Sequence, residues 1–403
     1  MKKILVITPF LYTDDIHIEA TPVVNYFAQS WVRQGFDVRV IHLPSLFPRW
    51  MRIVARPFLK KLETKLSATI NCDDIKERIY VDEGVKTYRI PMIKLKPHAR
   101  YSKSVINKTV EKINQFLDNE QFSPDVLLTH WINPGVEILD ILKTRFNVVS
   151  SLVLHTDGRD FQTIFKDDAK YYRERMDIIG FRSESLKKGY EKLYGTPPKW
   201  FICYSGIPDN VIGDEAIIKN FKNRFIFVGN LRKRKNPDAI IKAISKVYSK
   251  EDDFTMTYIG EGALEPEIKS IARENNFTDN QVILKGYQPR NMVLEQLKHS
   301  DVLIMISSKE VFGLVYLEAM AMGCIPIGSK GEGIDGVIIN GKNGFLVTPG
   351  DEEELAKVLS HIRQMSENER KEMIKAAFET AQKMTDTAVA AEYINNVFQL
   401  GGL

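Results

Sequence analysis

The sequence is poor in cysteine and has no long apolar run. Its three cysteines, Cys72, Cys203 and Cys324, form no CxxC pair, which argues against a disulfide framework and a structural zinc site. No stretch approaches the roughly 20 apolar residues that a membrane-spanning helix needs. The first apolar run ends at Pro9 without a small-residue cleavage site. We therefore expect a buried first strand and a cytoplasmic protein rather than a signal peptide.

The excess of positive charge is also small. The formal net charge is +4, and hydrophobic and charged residues make up 44% and 27% of the chain, as in soluble globular proteins. This charge suits a small anionic ligand or a membrane surface, and it is too weak to indicate nucleic acid. The 403 residues suffice for two domains of about 150–200 residues each.

What the sequence does contain is an alternation of short apolar segments and longer amphipathic ones. This pattern is typical of α/β proteins with parallel sheets, and it occurs in both halves, which predicts two Rossmann-like domains. Gly, Pro, Asp and Asn cluster at residues 204–210 and indicate a boundary. We expect an N-terminal domain over 1–204, a C-terminal domain over 205–385, and a last helix over about 386–403 that packs back on the first domain.

The segment 301–328 carries the strongest signal for chemistry. Its pattern predicts a strand at 301–307, a loop, a helix at 314–322 and a second strand at 325–328. Ligands bind at the carboxyl ends of such strands, a helix N-terminus suits a phosphate, and Gly313 lets the backbone approach an anion. Glu310 and Glu318 frame this turn. They would repel a phosphate, so they suit sugar and ribose hydroxyls; the alternative is that both are solvated surface charges.

This segment resembles the E-x7-E signature of family-4 retaining glycosyltransferases, which have the GT-B fold. Four further segments resemble that family's phosphate loop, G-x-G turn, base-side strand end and closing N-G-x-x-V motif, and they are 227–235, 259–262, 285–287 and 341–347. The resemblance covers about residues 200–365. It implies two Rossmann-like domains whose parallel sheets face each other across a cleft, with the donor site in the second domain.

The resemblance implies roles for individual residues. Glu310 would bind the donor sugar, Glu318 the ribose, and Lys235 the diphosphate, where it stabilises charge on the leaving group. Asn230 stands where the family usually has an arginine, so Arg232 or Arg234 would have to supply that charge. The implied donor-binding residues are Gly229, Asn230, Arg232, Arg234, Lys235, Gly260, Glu261, Gly262, Tyr287, Glu310, Phe312, Gly313, Leu314, Val315 and Glu318.

The first half matches the family less closely. The paired glycines expected after the first strand are missing, and the loop there holds Asp14 and Asp15, which we assign to the acceptor side. His155 lies in a segment similar to the family's L-H-G-x-D motif, and a catalytic role is expected for it with Glu310 and Lys235. His130 ends the preceding strand and is a candidate on the acceptor side. The alternative for both histidines is a structural role.

The implied activity is transfer of a hexose-type sugar from a UDP- or GDP-sugar to a glycan or lipid-linked acceptor, as in bacterial surface polysaccharide or glycoconjugate synthesis. The resemblance favours a front-face mechanism. No DxD motif or metal-ligand cluster stands out, so we expect neither a metal nor another cofactor. Two alternatives stay open: a GT-B-like nucleotide-sugar epimerase, and a protein that binds a nucleotide-sugar without turnover.

Three further patterns have competing interpretations. The segment from Arg49 to Lys65 is basic with interleaved apolar residues, which fits either a helix on anionic lipid or an ordinary surface helix. The segment 331–336 is a literal G-x-G-x-x-G, but no helical pattern follows it, so a dinucleotide site is not expected. The basic run 232–235 follows a buried strand and a glycine, which favours a phosphate loop over a nucleic-acid patch.

Overall fold

The computed structural model describes residues 1–13, 23–55, 75–94, 96 and 99–403. The chain forms two compact units. One comprises Met1–Arg182, Leu186–Cys203 and Ala390–Leu403, and the other comprises Ser183–Ser185 and Tyr204–Val389. The boundary predicted from the sequence lies between residues 204 and 205, which is one residue after the division between the two units at 203/204.

The first unit is built on a mainly parallel sheet. Within the described residues its strand order is β10-β9-β8-β7-β1-β2-β5-β4, in which only the edge strand β4 is antiparallel to its neighbour. A short parallel pair, β3 and β6, lies outside this sheet. The strands are β1 Lys3–Thr8, β2 Asp37–His42, β3 Ser45–Leu46, β4 Arg78–Asp82, β5 Val85–Arg89, β6 Met92–Ile93, β7 Val126–His130, β8 Val149–Leu154, β9 Ile178–Phe181 and β10 Trp200–Ile202.

Helices follow most of these strands, as the amphipathic segments predict. Ser102 caps one of them by accepting a hydrogen bond from the N–H of Val105, which satisfies a donor that the helix leaves open. The helices up to the second unit are Val23–Arg33, Arg49–Ala55, Lys103–Asn119, Gly135–Phe146, Arg159–Phe165, Ala169–Arg175 and Glu184–Tyr194. The sequence patterns did not predict the β4–β5 hairpin, because its edge strand exposes Ile79 and Val81 and so lacks a buried apolar run.

The second unit contains a fully parallel sheet of order β13-β12-β11-β14-β15-β16 in the described chain. Its strands are β11 Arg224–Val228, β12 Thr255–Ile259, β13 Val282–Leu284, β14 Val302–Ile304, β15 Ile325–Ser329 and β16 Phe345–Val347. Its helices are Pro237–Ser245, Glu265–Glu274, Arg290–Lys298, Leu314–Ala321, Glu352–Gln364 and Glu367–Gln382, and helix Asp386–Gly401 follows them.

Both sheets confirm the predicted α/β class with two Rossmann-like cores. The central strands are apolar along their whole length because helices cover both faces; β14, for example, is fully buried. Each sheet also reverses its strand order at a central pair of strands, which is β1 and β7 in the first unit and β11 and β14 in the second. The carboxyl ends of strands at such a reversal are where open α/β sheets bind ligands.

No helix of the described residues is both long and apolar enough to span a bilayer.

Candidate functional site

The loops at the reversal of the second sheet carry most of the residues that the sequence singled out. Strand β11 ends at Val228 and leads into Gly229 and a short 3-10 turn over Lys233–Lys235. Strand β14 ends at Ile304, and its loop holds Glu310 before helix Leu314–Ala321 begins. The two strands are neighbours, so their loops meet at one edge. The N–H of Ser308 donates to the carbonyl of Arg234 over 2.7 Å.

Lys235 and Glu310 form an ion pair at this edge. The Nζ of Lys235 contacts the Oε2 of Glu310, and both side chains are largely buried, with 12% and 14% exposed. The Nη1 of Arg234 lies 3.8 Å from the same oxygen, although half of that side chain is in solvent. Glu310 is therefore not a solvated surface charge, which corrects one of the interpretations left open by its spacing. Two cations converge on one carboxylate at the expected position.

The G-x-G turn after β12 supports the loop after β11 through backbone contact. A Cβ at Gly260 would lie 2.1 Å from the carbonyl oxygen of Gly229, and one at Gly262 would lie 2.3 Å from that of Leu231. Leu231 also donates its N–H to the carbonyl of Glu261 over 2.9 Å. Any side chain at these glycines would push the two loops apart. The sequence motif thus marks the place where two loops touch.

The segment 331–336 holds the loop of Glu310 from the other side. The carboxylate of Glu332 accepts the N–H of Glu310 over 2.7 Å, and the N–H of Gly333 donates to the carbonyl of Glu310 over 2.9 Å. A Cβ at Gly333 would lie 2.0 Å from the carbonyl oxygen of Val311. No helix begins in this segment, so its glycines serve loop packing rather than a dinucleotide. No role was predicted for Glu332, because it lies within the G-x-G-x-x-G segment, for which we expected no dinucleotide site.

Glu318, the second carboxylate of the E-x7-E motif, is paired with Arg290. Its side chain is 9% exposed, so it is not a solvated charge either. The Nε and Nη2 of Arg290 lie 2.7 Å and 2.6 Å from the same oxygen, Oε1. Arg290 begins helix Arg290–Lys298 and was not predicted, because an arginine after a proline carries no distinctive pattern. The other oxygen of Glu318, Oε2, takes part in neither of these bonds.

The remaining predicted donor-binding residues surround these two pairs. Phe312 is buried, Gly313 caps helix Leu314–Ala321 in the left-handed conformation with φ 85°, and Leu314 and Val315 form its first turn. Tyr287 is 75% exposed, and its N–H lies 3.4 Å from the Oε1 of Glu261. Asn230 and Arg232 are exposed on the loop after β11. Within the described part of the chain Arg232 has no ion-pair partner.

In the first unit, two histidines meet at the carboxyl ends of neighbouring strands. His130 is the last residue of β7 and His155 follows β8, and their Nδ1 and Nε2 atoms lie 3.1 Å apart. The indole of Trp131 stacks on the His155 ring at 4.0 Å and 17°. His155 is partly buried, whereas His130 is fully buried. The assignment of His130 to the acceptor side stays a prediction.

The environments of both imidazoles favour the neutral form at pH 7. Burial, followed by the positive charge of Arg182, holds the pKa of His130 well below its usual value. The same two causes, followed by the neighbouring ring of His130, lower the pKa of His155. The other candidates on the acceptor side, Asp14 and Asp15, lie outside the described residues.

Residues 214–380 match the model of the family described as glycosyl transferases group 1. This region, which is less than half of the chain, is similar to that family. The match contains the loop after β11, the E-x7-E motif and Arg290, and it confirms the resemblance on which the site was predicted.

Two relatives from bacteria have names that state an activity. The chain is 28% identical over 242 residues to the N-acetyl-alpha-D-glucosaminyl L-malate synthase of Bacillus anthracis, a match over 56% of this chain and 62% of that protein. It therefore spans less than two thirds of that relative's length. It is 24% identical over 304 residues to the UDP-Gal:alpha-D-GlcNAc-diphosphoundecaprenol alpha-1,3-galactosyltransferase of Escherichia coli, over 70% of this chain and 76% of that protein.

The fold is shared with solved glycosyltransferase structures. Sucrose-phosphate synthase from Thermosynechococcus elongatus superposes with a TM-score of 0.67 at 16% identity, over 99% of both chains. At this level of identity the likeness concerns the fold alone, and it confirms the predicted GT-B class.

Proposed function

We propose that the protein is a retaining glycosyltransferase that moves a hexose-type sugar from a UDP- or GDP-sugar to a glycan or lipid-linked acceptor in bacterial surface polysaccharide or glycoconjugate synthesis. The observation that carries this proposal is the Lys235–Glu310 pair at the reversal of the second sheet. An ammonium group has three donors, so a bond to Glu310 leaves two for diphosphate oxygens. Glu310 would thus hold Lys235 in place while both groups bind the donor.

The two carboxylates suit hydroxyl groups because each keeps an oxygen outside its ion pair. Lys235 and Arg234 approach Oε2 of Glu310, which leaves Oε1 to accept a hydrogen bond from a sugar hydroxyl. Arg290 approaches Oε1 of Glu318, which leaves Oε2 for a ribose hydroxyl. Neutralised in this way, the carboxylates repel a nearby diphosphate less than isolated charges would. The name of the Escherichia coli relative includes UDP-Gal and a diphosphoundecaprenol acceptor, which supports both substrate classes.

The reaction we propose is a front-face displacement. A double displacement would need a free carboxylate beside the anomeric carbon, and Glu310 is occupied by cations. In the front-face route the sugar–phosphate bond breaks as the leaving diphosphate takes the proton of the acceptor hydroxyl, and that oxygen bonds to the same face. Lys235 and the N–H groups at the start of helix Leu314–Ala321 would stabilise the charge growing on the diphosphate.

Thermal unfolding with a panel of ligands tests the donor site. A ligand that binds only the folded state raises the melting temperature with its concentration. One UDP- or GDP-sugar should stabilise the wild type and the control Glu295→Ala, whose carboxylate is exposed on helix Arg290–Lys298, but not Glu318→Ala. Stabilisation by NAD alone would reject the proposal. Once the donor is known, 1H NMR of the product gives the anomeric configuration, and inversion would reject a retaining mechanism.

We also propose that the protein contacts anionic lipid at the cytoplasmic face of the membrane through helix Arg49–Ala55. Trp50 and Ile53 on this helix are 65% and 62% exposed, next to the exposed cation Arg49; the rest of the segment to Lys65 lies outside the described residues. Flotation with liposomes containing anionic lipid should carry the wild type but not a Trp50→Ser/Ile53→Ser variant. Ile79→Ser, at an exposed apolar side chain on edge strand β4, is the control. Equal flotation of all three would contradict the proposal.

A further inference from the structure

The ring N–H protons of His130 and His155 can be counted from their protonation state and their contact. Because the pKa of each imidazole is well below its usual value, each ring carries one N–H at neutral pH. Only one proton can lie between the Nδ1 of His130 and the Nε2 of His155 across their 3.1 Å contact. Two arrangements exist: His130 donates to His155, or His155 donates to His130.

The surroundings of His130 favour the first arrangement. Its other nitrogen, Nε2, is buried and has no hydrogen-bond partner within the residues that the structure describes. The rings of Phe27 and Tyr393 lie 5.8 Å from the imidazole, centroid to centroid. If His155 were the donor, His130 would carry its proton on Nε2 as a buried N–H without an acceptor, which is rarer in proteins than a buried acceptor without a donor. The positive charge of Arg182, which acts on this ring, also favours a lone pair over an N–H.

We propose that His130 is a positioning residue that fixes the tautomer of His155. Its Nδ1–H donates to the Nε2 of His155, so that His155 carries its own proton on Nδ1. The stacked indole of Trp131 holds the plane of the ring. His155 is then a neutral donor with one remaining nitrogen, and its Nε2 is not available as a general base. If the proposed function is correct, this single N–H donates to a substrate oxygen.

The tautomer can be measured without any substrate. In protein labelled with 15N-histidine at neutral pH, long-range 1H–15N spectra distinguish a protonated ring nitrogen from a bare one. His130→Asn and His155→Asn each remove one set of signals and so assign the two rings. We expect protonated Nδ1 and bare Nε2 in both. A protonated Nε2 on His155 would overturn the proposal, and this outcome does not depend on whether the protein transfers sugar.

A pair of substitutions tests the positioning role. The amide nitrogen of Asn reaches the place of an imidazole Nδ1, whereas that of Gln reaches the place of Nε2. His130→Asn should therefore keep the bond to His155 and most of the turnover. His130→Gln should lose about tenfold in kcat, the scale of one lost hydrogen bond, with a melting temperature close to that of His130→Asn. Equal kcat in the two variants would show that His130 only fills space.

Discussion

The two units place different chemistry at the reversal of their sheets. In the second unit, Lys235 and Glu310 are paired at the ends of β11 and β14. A second pair joins the largely buried Glu318 to the exposed Arg290. In the first unit, the ends of β7 and β8 bring together two neutral imidazoles and an indole. The charged site suits a ligand that carries both negative charge and hydroxyls, and the neutral site suits a single directed hydrogen bond.

The two sites are also held in place by different kinds of contact. Contacts between backbone atoms fix the loops of the second unit, as at Gly260 and Gly333. In the first unit, packing of aromatic rings fixes the orientation of His130 and His155. The two sites should therefore fail in different ways when altered, through loop displacement in one and through loss of ring orientation in the other.

The largest effect is expected at the loop contact of the second unit. Gly260→Ala would place a Cβ 2.1 Å from the carbonyl of Gly229, in a backbone with φ 128°, and should lower the free energy of unfolding by about 3 kcal/mol. Urea denaturation measures this. Gly195→Ala, where φ is 77° but no atom lies within 4 Å, is the control for backbone strain alone and should cost about 1 kcal/mol. Equal costs would mean that the two loops are not in tight contact.

Removal of the charge at Lys235 should have the next largest effect. Lys235→Met keeps the length of the side chain but cannot neutralise a leaving diphosphate, so kcat should fall about a hundredfold. Lys233→Met is the control, because that side chain is 78% exposed and pairs with Asp238; its kcat should change less than twofold. If both variants lost activity equally, the basic turn would act through general attraction rather than through Lys235.

Acid should destabilise the first unit. The pKa of His130 and of His155 is lowered in the folded state, whereas an unfolded histidine titrates near 6.5. Below about pH 6.5 the unfolded chain therefore binds protons that the folded chain does not, and the free energy of unfolding falls by up to about 1.4 kcal/mol per pH unit for each histidine. Denaturation measured at pH 7 and at pH 5.5 should show a smaller fall in the free energy of unfolding for His130→Asn than for the wild type. A fall as large as in the wild type would contradict this prediction, and His299→Gln, at an exposed histidine, is the control.

The smallest effect is expected from removal of metal ions. No group of three or more His, Cys, Asp or Glu side chains in the described ranges is arranged to hold a metal, and the proposed mechanism uses Lys235 and backbone N–H groups instead. Turnover in EDTA should stay within about twofold of the untreated value, since cationic side chains supply the stabilisation. A loss that magnesium restored would show that the charge balance of the second site is incomplete.

The sequence predicted the second site far better than the first. Glu310 and Glu318 lie on one strand–loop–helix segment at the carboxyl end of a strand, where such sheets bind ligands. The family resemblance, rather than their spacing, assigned them and Lys235 to a donor site. The Arg290–Glu318 pair could not be predicted because it depends on how a neighbouring helix begins. Glu332 was missed because its role is to accept a backbone N–H, which leaves no pattern in the side chains around it.

For the first site the sequence predicted position but not burial. Both histidines follow apolar segments that form adjacent parallel strands, so their proximity was foreseeable. Their different exposure was not, because the rings that cover His130 come from distant parts of the chain, including Phe27 and Tyr393.

The last helix makes the second unit an insertion within the first. Residues 390–403 return to the first unit, where the indole of Trp31 donates to the carbonyl of Ala390 over 2.8 Å and Tyr393 packs on Phe201. Recombination at a single breakpoint near residue 203 would therefore exchange this helix together with the second unit. A functional hybrid with a relative needs two breakpoints, one on each side of the insertion, so that the recipient keeps its own C-terminal helix.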